Sequence, residues 1–132
     1  MTRRQEREQA FIFIFEKNFR DESIEDIIED AINAGVYTES EYSEECFKGV
    51  FENLADIDAL IEQNLMGWKI ERISKVSLSI LRLAIFEMKY MNEIPESVAI
   101  NEAVEIAKKY TNADESGFIN GVLGSILRDT NA

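Results

Sequence analysis

The chain has 132 residues, of which 45% are hydrophobic and 30% are charged, and it contains one proline. This composition excludes a collagen-like or disordered chain and predicts one domain with a real apolar core. One cysteine excludes an internal disulfide, and the lack of histidine excludes a Cys/His zinc site and removes the commonest general base. Because no apolar run could span a membrane or serve as a signal peptide, we expect a cytoplasmic protein.

The negative charge is concentrated in one part of the sequence. The net charge is −12, but residues 1–20 carry a net +2 and residues 66–132 a net −1, so residues 21–65 carry −13. A chain this acidic is a poor non-specific ligand for nucleic acid, although a small basic patch can still bind RNA with the help of a partner.

Apolar residues recur with a helical period along almost the whole chain. Residues 10–15 have the composition of a short strand, but no other segment offers a strand partner, so the prediction there is also helix. Ser23 is a predicted N-cap, and Gly35 suits the left-handed residue that ends the helix. A third helix is expected to begin near Thr38 or Ser40.

Residues 76–91 leave almost no polar face, which predicts a buried central helix. Farther along, Asn120-Gly121 resembles a hairpin turn but lies inside a strong helical pattern. We therefore expect Gly121 and Gly124 to allow close helix packing. The pattern as a whole predicts an all-α protein with about seven helices.

The sequence offers little support for catalysis. It has no glycine-rich phosphate loop and no nucleophile elbow, and the carboxylates of residues 21–65 fall on solvent-facing sides of predicted helices. Cys46 is expected to be a small core residue. Arg82 interrupts the most apolar helix and needs an acidic partner, for which Glu87 and Glu102 are the candidates.

The beginning of the chain carries the clearest candidate binding site. Arg3 and Arg7 are i, i+4 neighbours with Arg4 beside them, so one helix end would present three guanidinium groups. These groups are either an ordinary charged, frayed terminus or a patch that binds phosphates. Phe118 is either a core residue or a platform on which a base stacks.

Four segments, in this order, resemble the NusB family of bacterial transcription antitermination factors. They are RRQEREQA (3–10), LRLAIFE (81–87), IPESVAINEAVEIAK (94–108) and FINGVL (118–123). The resemblance implies two small helical bundles packed across each other in a single domain, 1–132, with lobes at about 1–54 and 55–132. It also implies binding of boxA-like RNA together with NusE, a small-subunit ribosomal protein, and thereby association with the RNA polymerase elongation complex. No cofactor is expected.

The same resemblance assigns roles to individual residues. It implies RNA contacts at the arginine motif and at an aromatic residue of the last helix, namely Arg3, Arg4, Arg7 and Phe118. It implies NusE contacts at two further positions, Phe15 and Ser77. We expect replacement of Arg4 or Arg7 by alanine to weaken RNA binding without harming the fold, because both are placed outside the core.

Two other functions remain open at this point, and a third is not favoured by the sequence. NusB-like domains also occur fused to RNA cytosine methyltransferases, but this sequence has no segment suited to S-adenosylmethionine. An acidic helical adaptor that binds proteins and not RNA is the main alternative. A carboxylate-based enzyme would need two carboxylates that converge in a cleft.

Overall fold

The computed structural model describes residues 1–131 of the chain, with side chains through residue 129, and within these residues it is all-helical and has no strand. This confirms the predicted all-α class. None of the described helices is both long and apolar enough to cross a membrane. Seven α-helices and one short 3-10 turn follow in order: α1 (Arg3–Lys17), α2 (Ile24–Asn33), α3 (Glu41–Glu52), α4 (Leu54–Gln63), the turn Ile70–Arg72, α5 (Lys75–Tyr90), α6 (Glu96–Tyr110) and α7 (Ala113–Asn131).

Short polar side chains cap the starts of several helices. Thr2 and Gln5 form a reciprocal capping box at α1, in which the Thr2 hydroxyl accepts a hydrogen bond from the backbone N–H of Gln5 at 3.1 Å. Ser23 caps α2 as predicted, and Ser40 caps α3. Gly35 follows α2 with φ of +72°, the left-handed conformation that the sequence predicted there.

Helix α5 is the centre of the fold, as its all-round apolar character predicted. It contacts α1, α3, α4, α6 and α7, and Leu81 and Ala84 near its middle are buried. Residues 10–15 are helical, and Phe13 of α1 stacks on Phe47 of α3 at 5.3 Å between ring centroids. The buried hydrophobic residues of the described chain form one cluster, and the division into lobes near residue 54 stays a prediction.

Gly121 and Gly124 of α7 do not lie at a close contact between helices, although the sequence predicted one. A Cβ added to Gly121 would meet nothing within 4 Å, and at Gly124 the nearest atom is the flexible end of Arg128 at 3.4 Å, so the expected close packing is wrong. The close approach occurs at Gly49 of α3 instead. There an added Cβ would lie 2.1 Å from Cε1 of Phe86, which is buried.

These two environments predict opposite effects of the same substitution. Gly49→Ala should lower the free energy of unfolding by about 1–3 kcal/mol, since the ring of Phe86 must move within a packed core. Gly121→Ala should raise it by up to about 1 kcal/mol, since alanine favours the helix and has open space. Urea denaturation of both variants measures the difference, and equal effects would contradict the packing at Gly49.

Candidate nucleic-acid interface

The arginine-bearing end of α1 is fixed to the core through Arg7. Its Nε donates to Oε2 of Glu87 at 2.6 Å, and the hydroxyl of Tyr42 donates to the same oxygen. Arg7 is 5% exposed and Glu87 is 1% exposed. The expectation that Arg7 lies outside the core is therefore wrong, because this guanidinium is held in a buried ion pair between α1 and α5.

The Arg7 guanidinium stays charged although it is buried. Burial alone would lower the pKa of Arg7, but the hydrogen bond and the charge of Glu87 outweigh burial, and the pKa is raised. Burial and the hydrogen bond to Glu87 also raise the pKa of Tyr42. The guanidinium and the phenol thus remain protonated, and both donate to one carboxylate.

Arg3 and Arg4 lie at the surface, but each has a partner on another helix. The Arg3 guanidinium carbon lies 3.7 Å from the ring centroid of Tyr42, a cation–π contact with α3. Nε and Nη2 of Arg4 donate to the two carboxylate oxygens of Glu102 on α6, at 2.9 and 3.0 Å. The alternative of a frayed terminus is not supported by these contacts, since they orient both side chains.

A second contact joins α1 to α6. Lys109 and the hydroxyl of Tyr110 both donate to Oε1 of Glu8. Partial burial raises the pKa of Glu8, but the two hydrogen bonds lower it by a larger amount, so the net pKa shift is downward. Partial burial and the Glu8 hydrogen bond raise the pKa of Tyr110 to about 12.

A polar groove of about 580 Å³ begins at Arg4 and runs between α6 and α7. Its lining includes one further cation, Lys108, two acids, Glu102 and Glu105, and two exposed amide side chains, Asn101 and Asn120. Gly117 lies at its α7 wall. Cations and amides in one groove provide donors for phosphate oxygens and both donors and acceptors for base edges.

Phe118 is half-buried and lines a different groove, of about 260 Å³, on the other side of the start of α7. Trp68, which is 62% exposed, and Arg72 line the same groove. Neither residue is among the site residues predicted from the sequence. Trp68 could have been found from the sequence, because it follows Gly67 in a predicted loop and a large exposed aromatic residue often marks a contact surface.

The two predicted partner-binding positions differ in accessibility. Ser77 lines the Phe118 groove but is buried, and its hydroxyl donates to Glu115 at 2.9 Å. Phe15 is half-buried on α1 and meets the exposed Phe19 edge to face. The hydrogen bond from Asn18 to Ser79 places the end of α1 beside the start of α5, so the two positions lie on neighbouring helix ends.

Two other sequence predictions have clear outcomes. Neither acid proposed for Arg82 is its partner: its Nε and Nη2 donate to the two oxygens of Asp58 on α4, both at 2.9 Å. Glu87 and Glu102 instead pair with arginines of α1. Cys46 is fully buried, and burial raises its pKa, which confirms the prediction of an inert core residue.

The buried pair predicts a large stability effect at Arg7. Arg7→Ala should lower the free energy of unfolding by about 3–5 kcal/mol, because Glu87 would remain buried without its cation. Arg7→Met combined with Glu87→Gln should recover most of this loss, since the amide oxygen still accepts from Tyr42. Urea denaturation of the single and double variants checks this, and a near-neutral single variant would show that the pair is not buried in solution.

The α1–α6 contacts predict a loss of stability in acid. The hydrogen bond from Arg4 and its charge lower the pKa of Glu102 below the model-compound value of 4.5, so the paired carboxylate is favoured in the folded state. Its contribution is therefore complete above that value and is lost as the pH falls through the lower folded pKa. The stability difference between the wild type and Glu102→Gln, measured from about pH 6 to about pH 3, should shrink. A constant difference would exclude the linkage.

Comparison with known proteins places these features in a family. The profile of the NusB family matches residues 4–128. Transcription antitermination protein NusB of Listeria monocytogenes serotype 4a is 43% identical over 130 residues, which cover 96% of each chain. T. maritima NusB is 35% identical with a TM-score of 0.84, covering 97% of this chain and 92% of that one.

A fourth comparison concerns the fold alone. A chain in the crystal structure of antitermination factors NusB and NusE in complex with dsRNA superposes with a TM-score of 0.84 at 22% identity, covering 98% of this chain and 99% of that one. The family profile spans α1 to α7, and the relative from Listeria covers nearly the whole length. On these grounds the chain belongs to the NusB family.

Proposed function

We propose that this protein is a non-catalytic transcription antitermination factor that binds boxA-type RNA together with NusE in the cytoplasm and thereby promotes transcription of ribosomal RNA operons. The observation that carries the proposal is the position of Arg4 in the lining of the polar groove, with Arg3 beside it in the first turn of α1. A relative that is 43% identical is named a transcription antitermination protein. A neighbour of the same fold was crystallised with NusE and dsRNA.

The proposed RNA path starts at the arginines, follows the polar groove between α6 and α7, and then crosses the start of α7 to Phe118 in the neighbouring groove. Arg3 and Arg4 contact backbone phosphates at one end, and Lys108, which pairs with Glu105, provides a further cation along the groove. Asn101 and Asn120 offer hydrogen bonds to bases. A base that reaches the start of α7 stacks on Phe118, whose ring is partly exposed.

Arg7 has a different role in this proposal. Its guanidinium is buried against Glu87 and so does not reach a phosphate at the surface. It holds the first turns of α1 in place and thereby positions Arg3 and Arg4. Loss of RNA binding in an Arg7 variant would then follow from a displaced helix end.

The proposed NusE surface includes Phe15 and Ser77. Their helices meet at the Asn18–Ser79 hydrogen bond, and Ser77 borders the groove of Trp68 and Phe118. A basic partner would neutralise part of the net charge of −12, which repels RNA. Because linkage is reciprocal, NusE should tighten RNA binding by the same factor by which RNA tightens NusE binding.

A non-catalytic role agrees with the electrostatics of the polar groove. Its acids include Glu102, whose pKa is lowered by the hydrogen bond from Arg4, and Glu105, which pairs with Lys108 at 3.4 Å. A general acid near neutral pH needs a raised pKa, which is the opposite shift. The adaptor alternative differs from this proposal in one measurable property, because an adaptor would not bind RNA specifically.

The proposal predicts a loss of affinity and of salt dependence when the surface arginines are removed. Arg3→Ala/Arg4→Ala should weaken binding of fluorescein-labelled boxA-like RNA, measured by fluorescence anisotropy. If each arginine contacts one phosphate, the slope of log affinity against log salt should become shallower by about 1.4, at about 0.7 per contact for single strands.

The control variant removes the same charge at the other end of α1. Lys17, the last residue of α1, lies about 20 Å from Arg4 along the helix, and Arg20 follows three residues later. Lys17→Ala/Arg20→Ala should leave the salt slope for RNA alone unchanged. Each protein is also measured with NusE, which should tighten the wild type. Wild-type protein that binds boxA-like and scrambled RNA equally, with and without NusE, would favour the adaptor.

A further inference from the structure

We propose that Glu102 is an intramolecular competitor of the RNA phosphate at Arg4 and sets the affinity of the site. This inference rests on the proposed RNA-binding function and adds a specific determinant to it. Among the three arginines at the start of α1, Arg4 is the one whose partner is a carboxylate that lines the polar groove. The ion pair therefore lies where the RNA backbone is proposed to enter.

The geometry of the pair matches the way in which arginine binds phosphate. Nε and Nη2 form one edge of the guanidinium, and each donates to one oxygen of Glu102, at 2.9 and 3.0 Å. A phosphate group offers a similar pair of oxygens to the same edge. Glu102 thus occupies the donors that a bidentate phosphate contact would use.

A phosphate that approached the other edge of Arg4 would still meet opposition. It would place a second anion a few ångströms from the Glu102 carboxylate, and these like charges repel in a groove that is partly shielded from water. In both arrangements the carboxylate makes phosphate binding weaker. Glu102 would assist RNA only if the gain from holding Arg4 in place exceeded this repulsion.

The exposures of the two side chains show which partner can move. The Arg4 side chain is 63% exposed, whereas the Glu102 side chain is 19% exposed. Glu102 is therefore the fixed member, and Arg4 can swing from it toward a ligand without disturbing the core. The Arg7–Glu87 pair differs, since both of its members are buried.

Glu105 provides a matched control for this carboxylate. It lies on α6, lines the same groove and carries the same charge, but its ion pair is with Lys108, and it acts on Arg4 through its charge alone, without a hydrogen bond. Replacing either glutamate by glutamine removes one negative charge from the groove. Any excess effect of Glu102→Gln over Glu105→Gln then reports the direct competition for Arg4.

The experiment measures RNA affinity for both variants, each with Arg4 present and with Arg4→Ala. The probes are fluorescein-labelled boxA-like RNA and a scrambled RNA of equal length, followed by fluorescence anisotropy. Glu102→Gln should bind RNA about fivefold more tightly, which is near the upper end of the effects measured when an exposed ion pair is removed. Glu105→Gln should change RNA affinity less than about twofold. The Glu102→Gln gain should vanish with Arg4→Ala and be equal for both RNAs, since phosphate contacts carry no sequence information.

Three results would overturn the inference while leaving the proposed function intact. They are equal effects of the two glutamine variants, weaker binding by Glu102→Gln, and a gain that persists in the Arg4→Ala background. Weaker binding would show that Glu102 positions Arg4 for RNA. If neither the wild type nor any variant binds either RNA, with or without NusE, the proposed function fails and the inference fails with it. Urea denaturation of each variant confirms that the compared proteins are folded.

Discussion

The ion pair between Arg7 and Glu87, with the Tyr42 hydroxyl on the same carboxylate, is the contact on which the candidate site depends. Two charges removed from water are stable only when each is well paired, so three helices must meet in one arrangement to satisfy Glu87. That requirement fixes the start of α1 against α3 and α5. A helix end that would fray in isolation is therefore held as firmly as a core element.

The surface arginines benefit from this constraint. Arg3 lies over the ring of Tyr42, whose hydroxyl belongs to the buried cluster, and Arg4 reaches across to Glu102 on α6. Both side chains are thus ordered before any ligand arrives, but Arg4 must leave Glu102 to bind a phosphate through the same edge of its guanidinium. Ligands must therefore compete with these internal partners. The same contacts that order the arginine side chains lower the affinity of the site for a ligand.

The sequence predicts the fold well because its strongest signals are local. The apolar character of residues 76–91 identifies the central helix, and Ser23 and Gly35 mark both ends of α2. The burial of Arg7 was also readable, because Arg7 lies on the same helical stripe as Ala10, Phe11 and Ile14, all of which are buried. The pairing of Arg82 with Asp58 has no such signal, since the two residues are 24 positions apart and many acids are nearer in the sequence.

The start of α7 forms a thin wall between the two grooves. Gly117 faces the polar groove, and Phe118, the next residue, faces the groove that it shares with Trp68 and Arg72. A single turn of helix is therefore the common boundary of two chemically different surfaces. A sideways movement of that turn would therefore widen one groove as it narrows the other, and so would couple the shapes of the two surfaces.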